Sequence, residues 1–355
     1  MEKSAKIFVA GHRGLVGSAI LKNLQSKGYD HFVLRTSSEL DLTNQKAVAE
    51  FFAEQKPEYV FLAAARVGGI VANSIYRADF IYQNLQIQNN VIYESWRNQV
   101  KKLLFLGSTC IYPREAPQPM SEDCLLTAPL EYTNEPYAIA KIAGLKMCES
   151  FNLQYGTNYI AVMPTNLYGP NDNFNLEKSH VLPALIRKAH LGKCLVAKDW
   201  SALRSDFNRY PVEGVDGNAS ETEILTKLSK YGITSEKISI WGTGKPVREF
   251  LWSEDMADAC VYVMEKVDFK DLCGSSSEVR NCHLNIGTGK EISIKDLAGL
   301  VAKITGYSGI LSFDVTKPDG TLRKLTDPSK LHQLGWHHSM EIEQGINTLY
   351  KWYLC

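Results

Sequence analysis

Along the first half of the chain, short apolar runs alternate with longer stretches whose apolar residues recur at helical spacing. Lys6–Ala10 reads as a buried strand, followed by a glycine-punctuated helix to about Lys27, with Gly28 as its stop. His31–Arg35 reads as a second strand, Glu58–Ala65 as a third, Lys102–Gly107 as a fourth and Asn158–Met163 as a fifth. Helical patterns separate them, the longest at Ala78–Trp96 and Pro136–Gln154. Alternation of this kind predicts an α/β fold with a Rossmann-type, doubly wound parallel sheet. The second half has fewer such units and more turns, as expected of a smaller C-terminal α/β domain that covers a substrate.

On this pattern residues 1–167 form a dinucleotide-binding domain and residues 168–355 mainly a substrate-binding one, with about 239–265 as a candidate return to the first. A polar stretch, about 193–236, reads as an insertion with Pro211, Gly214 and Gly217 and no strong strand signal. Inside it, Ser220-Glu-Thr-Glu223 is a capping-box pattern, and Ile224, Leu225, Leu228 and Tyr231 share a helical face before Gly232. A short surface helix without catalytic duty is expected there.

Composition narrows the function classes. The 355 residues are 45% hydrophobic and 22% charged, ordinary for a globular chain. Lys plus Arg equals Asp plus Glu at 39 each, so there is no basic excess to draw in nucleic acid. The apolar run near the N-terminus is too short for a signal-peptide core or a membrane span. Eight cysteines are scattered without a CxxC pair, which predicts reduced thiols in the cytoplasm and no metal site.

Candidate chemistry begins at Gly11-His-Arg-Gly-Leu-Val-Gly17, between a strand and a helix. Glycines there let the backbone approach a pyrophosphate seated on the helix's unsatisfied amides. The second strand ends at Arg35-Thr-Ser-Ser38 rather than at an acid, and Arg13 lies in the loop. Two guanidinium groups suit a 2′-phosphate, so NADP(H) is the expected cofactor. Ser108 follows the fourth strand at its C-terminal end, where ligands of such sheets bind. Tyr137 and Lys141 form a Y-x-x-x-K pair one helical turn apart, on a helix that Asn134 can cap and Pro136 can open. A nearby ammonium favours phenolate, which would make Tyr137 an acid or base near neutral pH, with Ser108 bonding the same substrate oxygen.

These parts, in this order, are those of the short-chain dehydrogenase/reductases. The strings GHRGLVGSAI (11–20), LAAARVGGIVAN (62–73), GSTCIYP (107–113), NEPYAIAKIAG (134–144) and MPTNLYGPNDNF (163–174) resemble the GDP-L-fucose synthases, an extended branch of that family. So do HVLPALIRK (180–188), WGTGKPVREFL (241–251) and KPDGTLRK (317–324), so the resemblance spans nearly the whole chain apart from about 193–236.

The resemblance implies an enzyme that epimerises carbons 3 and 5 of GDP-4-keto-6-deoxy-D-mannose and then reduces carbon 4 with NADPH. It implies a reductase triad of Ser108, Tyr137 and Lys141, with Cys110 as the base beside the ketone and His180 as the acid on the opposite face. Both carbons are α to one carbonyl, so a single oxyanion site serves the two enolates and the alkoxide. Cysteine and histidine titrate close enough to neutrality to exchange protons in both directions. For the cofactor it implies Gly11, His12, Arg13, Gly14, Leu15, Val16 and Gly17, together with Arg35, Ser37, Asp41 and Leu42. Leu106, Gly107, Ser108, Tyr137, Lys141, Pro164, Thr165, Asn166, Leu167 and His180 complete that set. Ser37 departs from bacterial members that carry arginine there, which leaves the phosphate to Arg13 and Arg35. For the GDP-sugar it implies Lys188, Trp241, Arg248, Asp319 and Lys324, and for assembly a homodimer; the apolar-faced helices Ala78–Trp96 and Pro136–Gln154 are candidates for a four-helix interface or for cover by the same chain.

Two rivals remain at this level. A 4,6-dehydratase or 4-epimerase on the same scaffold would need a carboxylate pair or neither Cys110 nor His180; the chain has no acid after Ser108 until Glu115. A non-catalytic NADP-binding regulator would have no need of Ser108, Tyr137 and Lys141 together.

Overall fold

The computed structural model describes residues 1–274, 278–317 and 319–355; Pro318, within KPDGTLRK, lies outside the described residues. In chain order the strands are β1 Ile7–Ala10, β2 Phe32–Val33, β3 Tyr59–Leu62, β4 Lys102–Leu106, β5 Tyr159–Pro164, β6 Asn166–Tyr168 and β7 Lys237–Trp241. They continue as β8 Val247–Arg248, β9 Phe250–Trp252, β10 Leu284–Ile286, β11 Ile292–Ser293, β12 Ile310–Asp314 and β13 Arg323–Lys324. The helices are α1 Leu15–Ser26, α2 Gln45–Gln55, α3 Ile70–Ile75, α4 Arg77–Arg97, α5 Glu135–Tyr155, α6 Val181–Ala197 and α7 Trp200–Arg209. They end with α8 Glu221–Lys230, α9 Ser253–Lys266, α10 Phe269–Leu272, α11 Ile294–Thr305, α12 Ser329–Gln333 and α13 Ile342–Leu354.

Two compact units result. The first comprises Met1–Asn171, Glu249–Lys290 and Leu325–Met340; the second comprises Asp172–Arg248, Glu291–Lys324 and Glu341–Cys355. The sequence reading divides the chain near residue 168, with a return over about 239–265; in the structure the returning segments are 249–290 and 325–340.

In the first unit, a six-stranded parallel sheet runs β10-β5-β4-β3-β1-β2. Every residue of β1, β3, β4 and β5 is buried, because helices cover both faces of a parallel sheet. Alternate residues feed two cores. Ile7, Val9, Phe61 and Leu104 pack with Ile20, Leu24 and Met256 of α1 and α9; Phe8, Val60 and Phe105 pack with Val48, Val91 and Leu145 of α2, α4 and α5. Each such side chain contributes roughly 1.5–3 kcal/mol of transfer free energy. From β1 the chain goes to β2 on one side and then to β3 on the other. The crevice at the carboxyl ends of β1 and β3 is therefore the switch point where sheets of this type bind ligands.

The structure corrects several expected boundaries. β2 is two residues long, and Arg35 lies beyond it in a turn where Glu39 accepts from the Thr36 amide (2.7 Å) and hydroxyl (2.7 Å). α5 begins at Glu135, with Pro136 in its first turn, but the Asn134 side chain makes no capping bond. The sixth strand, β10, has no sequence signal of its own: three residues with a central asparagine are too short to show a period.

In the second unit, β7 pairs in parallel with β12, and β8 lies between β11 and β13. The 193–236 stretch has the expected capping box, Ser220 with Glu223, at the head of α8. Ile224 and Leu228 are buried, whereas Leu225 is 43% exposed, so the apolar face is narrower than its four-residue pattern. The stretch also holds α7, missed in the sequence because its composition is polar; Asp199 caps it by accepting from the Ala202 amide at 3.0 Å. Leu203 and Phe207 of α7 join Ile224 and Leu228 in a small core with Leu191 of α6. Buried Arg187 of α6 binds Asp206 of α7 (Nη2 to Oδ1, 2.8 Å), and the Tyr353 hydroxyl donates to the same carboxylate.

Candidate active site

The glycine loop fits a dinucleotide by its geometry. Gly11 has φ +84°, and a Cβ there would lie 2.9 Å from the Ala64 amide nitrogen beyond β3. A Cβ at Gly17 would lie 2.6 Å from the Gly11 carbonyl carbon, so α1 closes on the loop only because both residues are glycine. Gly14, the N-cap of α1, brings no side chain of its own to the first-turn amides, and that turn has no acid. This is a cradle for a diphosphate at a helix N-terminus. Arg13 is exposed beside it and Arg35 is half-buried; the Arg35 guanidinium lies 5.9 Å from the Phe51 ring centroid. Burial, with the Arg13 charge second, holds the His12 imidazole below its usual pKa. Ser37 is exposed, and Asp41 is taken up by Thr43, accepting from its amide (2.9 Å) and hydroxyl (2.7 Å).

At the end of β4, buried Leu106 and Gly107 lead into a single 3-10 turn, Thr109–Ile111, which Ser108 caps. The Ser108 Oγ accepts from the Cys110 amide at 3.4 Å, which leaves the hydroxyl proton free to be donated. Helix α5 packs on this turn and carries Tyr137 and Lys141. Lys141 is buried, its Nζ donating to the Leu106 carbonyl at 2.7 Å and lying 5.8 Å from the Tyr137 ring centroid. Four of the five expected catalytic residues, Ser108, Cys110, Tyr137 and Lys141, thus gather within one turn and one helix face. Cys110 is 5% exposed, buried in the same turn.

The expected lowering of the Tyr137 pKa does not occur in the protein alone. Burial pushes the phenol well above its ordinary value, and burial also pulls Lys141 down to about 8. Burial of both groups in surroundings of low polarity outweighs the effect of an ammonium one turn away. Tyr137 is accordingly a protonated donor at neutral pH.

A glycine outside the expected set permits this packing. A Cβ at Gly144 would lie 2.8 Å from Gln88 Oε1 and would collide with the Phe105 ring, so Gly144 lets α5 sit directly on β4. It is visible in the sequence as a glycine inside a helical pattern, a mark of close approach.

The segment after β5 is built on β6. Pro164 and Thr165 are buried and Asn166 is exposed, its Nδ2 donating to the Glu249 carbonyl at 2.8 Å; β6 pairs with β9 through Leu167 and Leu251.

The second unit holds the remaining expected residues. His180 stands at the N-cap of α6 but makes no capping bond, and burial lowers the pKa of its imidazole. Lys188 Nζ donates to the Ser239 carbonyl at 2.9 Å, and burial brings its pKa down to about 8. Arg248 and Lys324 stand opposite each other on β8 and β13. Trp241 is 58% exposed, with Lys317 Nζ 5.7 Å from its ring centroid. Asp319 accepts from Thr243 through both oxygens, from the amide (2.6 Å) and the hydroxyl (2.8 Å), each oxygen keeping a second lone pair. Sequence reasoning missed Asp172, whose Oδ2 is buried without a partner and whose pKa burial raises to about 7. Burial of this kind has no sequence signal.

Fold and site together define a dinucleotide-dependent enzyme with a tyrosine–lysine pair and an added thiol. The model of the NAD dependent epimerase/dehydratase family matches residues 7–207 and 207–287. GDP-L-fucose synthase 1 of Arabidopsis thaliana is 50% identical over 353 residues, covering 99% of this chain and 94% of the relative. GDP-L-fucose synthase of Escherichia coli (strain K12) is 47% identical over 349 residues, covering 98% and 96%. A GDP-D-glycero-L-gluco-heptose synthase from Campylobacter jejuni, solved in the presence of NADPH, superposes with TM-score 0.92 at 47% identity, covering 99% of each chain. The chain belongs to the NAD dependent epimerase/dehydratase family and, within it, to the GDP-L-fucose synthases.

Proposed function

We propose that the protein converts GDP-4-keto-6-deoxy-D-mannose to GDP-L-fucose by epimerisation at carbons 3 and 5 and NADPH-dependent reduction at carbon 4. Full-length identity with GDP-L-fucose synthases supports the overall reaction. The observation that carries the two-part chemistry is a buried thiol, Cys110, in the turn that Ser108 caps at the end of β4, against which the helix bearing Tyr137 and Lys141 packs. NADPH, when bound, supplies the hydride.

In this reading Ser108 and Tyr137 hydrogen-bond the ketone oxygen. Cys110 takes the proton from carbon 3 or 5 while those two donors hold the enolate's charge, and His180 delivers a proton to the other face. On reduction Tyr137, protonated at neutral pH, gives its proton to the alkoxide. Lys141, with a pKa near 8, stays largely charged at pH 7 and stabilises the phenolate left behind. Gly11–Gly17 and Pro164–Leu167 hold the cofactor, Arg13 and Arg35 its 2′-phosphate. Lys188, Arg248 and Lys324 hold the diphosphate, Trp241 offers an aromatic face, and Asp319 accepts from ribose hydroxyls.

A second substrate reading rests on a specific observation. The Campylobacter jejuni structure, described as a heptose synthase, is as similar to this chain as the bacterial fucose synthase is. The deciding experiment supplies NADPH with GDP-4-keto-6-deoxy-D-mannose or a GDP-4-keto-heptose and identifies each product by NMR. A galacto-configured product from the 6-deoxy sugar supports the first reading; turnover of the heptose alone supports the second.

We also propose a homodimer. Tyr82 and Tyr93 of α4 and Ile139, Leu153 and Tyr155 of α5 are each at least 40% exposed, an apolar surface suited to a second copy. Among the described residues no helix is long and apolar enough to cross a membrane, and no cluster of His, Cys, Asp and Glu could hold a metal. The eight cysteines are free thiols, in keeping with a cytoplasmic site of action.

A further inference from the structure

Glu249, in the residue before β9, is fully buried. An ionised carboxylate at such a position is costly unless hydrogen bonds replace its hydration. Here Oε1 accepts from the amides of Thr288 (2.5 Å) and Gly289 (2.7 Å), and Oε2 accepts from the Thr326 amide (3.0 Å) and hydroxyl (2.6 Å). Space is reserved for it: a Cβ at Gly287 would lie 2.9 Å from the Glu249 carboxyl carbon. Its main-chain carbonyl meanwhile accepts from Asn166 Nδ2 (2.8 Å) and Thr165 Oγ1 (3.5 Å).

Residues 249 and 288–289 lie at the two ends of the Glu249–Lys290 segment of the first unit and residue 326 near the start of its Leu325–Met340 segment, so each lies close to a point where the chain passes to or from the second unit, at 248/249, 290/291 and 324/325. On the other side of those same points the chain forms β8, β11 and β13, in which Arg248 pairs with Ile292 on one flank and with Lys324 on the other. One carboxylate therefore ties both ends of the Glu249–Lys290 segment to the start of the Leu325–Met340 segment, next in the chain to β8, β11 and β13, and its own residue anchors Thr165 and Asn166.

We propose that Glu249 is a positioning residue for the reaction: it holds the Thr165–Asn166 segment for the cofactor and sets the register of the strands that present Arg248 and Lys324 to the diphosphate of the sugar nucleotide. This rests on the roles given above to Asn166, Arg248 and Lys324. Loss of the negative charge orphans amides that point at it, because a glutamine amide nitrogen is itself a donor.

The test compares Glu249→Gln, Thr326→Val and Gly287→Ala, which disturb in turn the carboxylate itself, a donor to it and the space it occupies. NADPH affinity is read by nicotinamide fluorescence, KM and kcat with GDP-4-keto-6-deoxy-D-mannose, and folding by circular dichroism and Tm. The expected result for Glu249→Gln is an NADPH Kd and a sugar KM each raised about tenfold, with kcat changed less than about threefold. The other two variants should move the same quantities in the same direction by less. A lower Tm with unchanged Kd and KM would mean a purely structural role and would overturn the proposal. Should Glu249→Gln fail to fold, Thr326→Val decides by the same criteria. If the wild type does not turn over this sugar, the substrate reading fails while NADPH affinity in the variants still tests Glu249.

Discussion

Lys141→Met should make the protein more stable at neutral pH while abolishing its reductase activity. Lys141 is 4% exposed, and its pKa falls from the ordinary 10.5 to about 8 because burial penalises the ammonium. That displacement corresponds to about 3 kcal/mol against the folded state below pH 8. Methionine fills nearly the same space without the charge, but deprives the Leu106 carbonyl of its 2.7 Å donor, at a cost of about 1–3 kcal/mol. The balance favours the variant by about 1 kcal/mol, a Tm rise of roughly 1–2 °C for a chain of this length. The pH dependence is the sharper signature. Between pH 8 and 10.5 the unfolded chain keeps a proton that the folded one has shed, so the wild type gains stability relative to the variant as pH rises through that window. Calorimetry of both proteins at about pH 7 and about pH 10 should show the variant's advantage vanish or reverse. A variant less stable by the same margin at both values would refute the reasoning, since it would mean that the buried ammonium carries no penalty.

Other outcomes follow from the packing. Gly17→Ala puts a methyl group 2.6 Å from the Gly11 carbonyl carbon, overpacking worth about 1–3 kcal/mol, so fluorescence titration should show NADPH binding weakened about tenfold or more. Gly144→Ala pushes α5 away from Phe105 and Gln88 and should lower kcat in steady-state assays with little change in NADPH affinity. Arg187→Ala leaves the buried Asp206 carboxylate without its cation, and denaturant unfolding should show a loss of about 3–5 kcal/mol, less for Arg187→Met paired with Asp206→Leu.

How much of this was legible in the sequence varied with the physics behind each element. The runs that became β1, β3, β4 and β5 could be read because strands covered on both faces are apolar at every position. β10 could not, since its three residues gain their place only by pairing with β5. The polar helix α7 escaped notice because its stability comes from Leu203, Phe207 and the Arg187–Asp206 pair, partners distant in sequence. Motif order brings Ser108, Cys110, Tyr137 and Lys141 to one place, yet spacing predicts a lowered Tyr137 pKa where burial raises it. Spacing reports that an ammonium is near, but not that the phenol and the ammonium are both buried. Glu249 stood in plain view between Arg248 and Phe250, and only the fold shows that Thr288, Gly289 and Thr326 converge on it.

The central claim is that one oxyanion site serves proton exchange at two carbons and hydride acceptance at a third. The most direct measurement is NMR of the product formed from GDP-4-keto-6-deoxy-D-mannose and NADPH in deuterated water, for the wild type, Cys110→Ser and Tyr137→Phe. The account predicts deuterium at carbons 3 and 5 and oxidised NADPH for the wild type, with deuteration lost in Cys110→Ser and reduction lost in Tyr137→Phe. Reduction by the wild type without deuterium at either carbon would contradict it, leaving a plain 4-keto reductase in which Cys110 and His180 take no part.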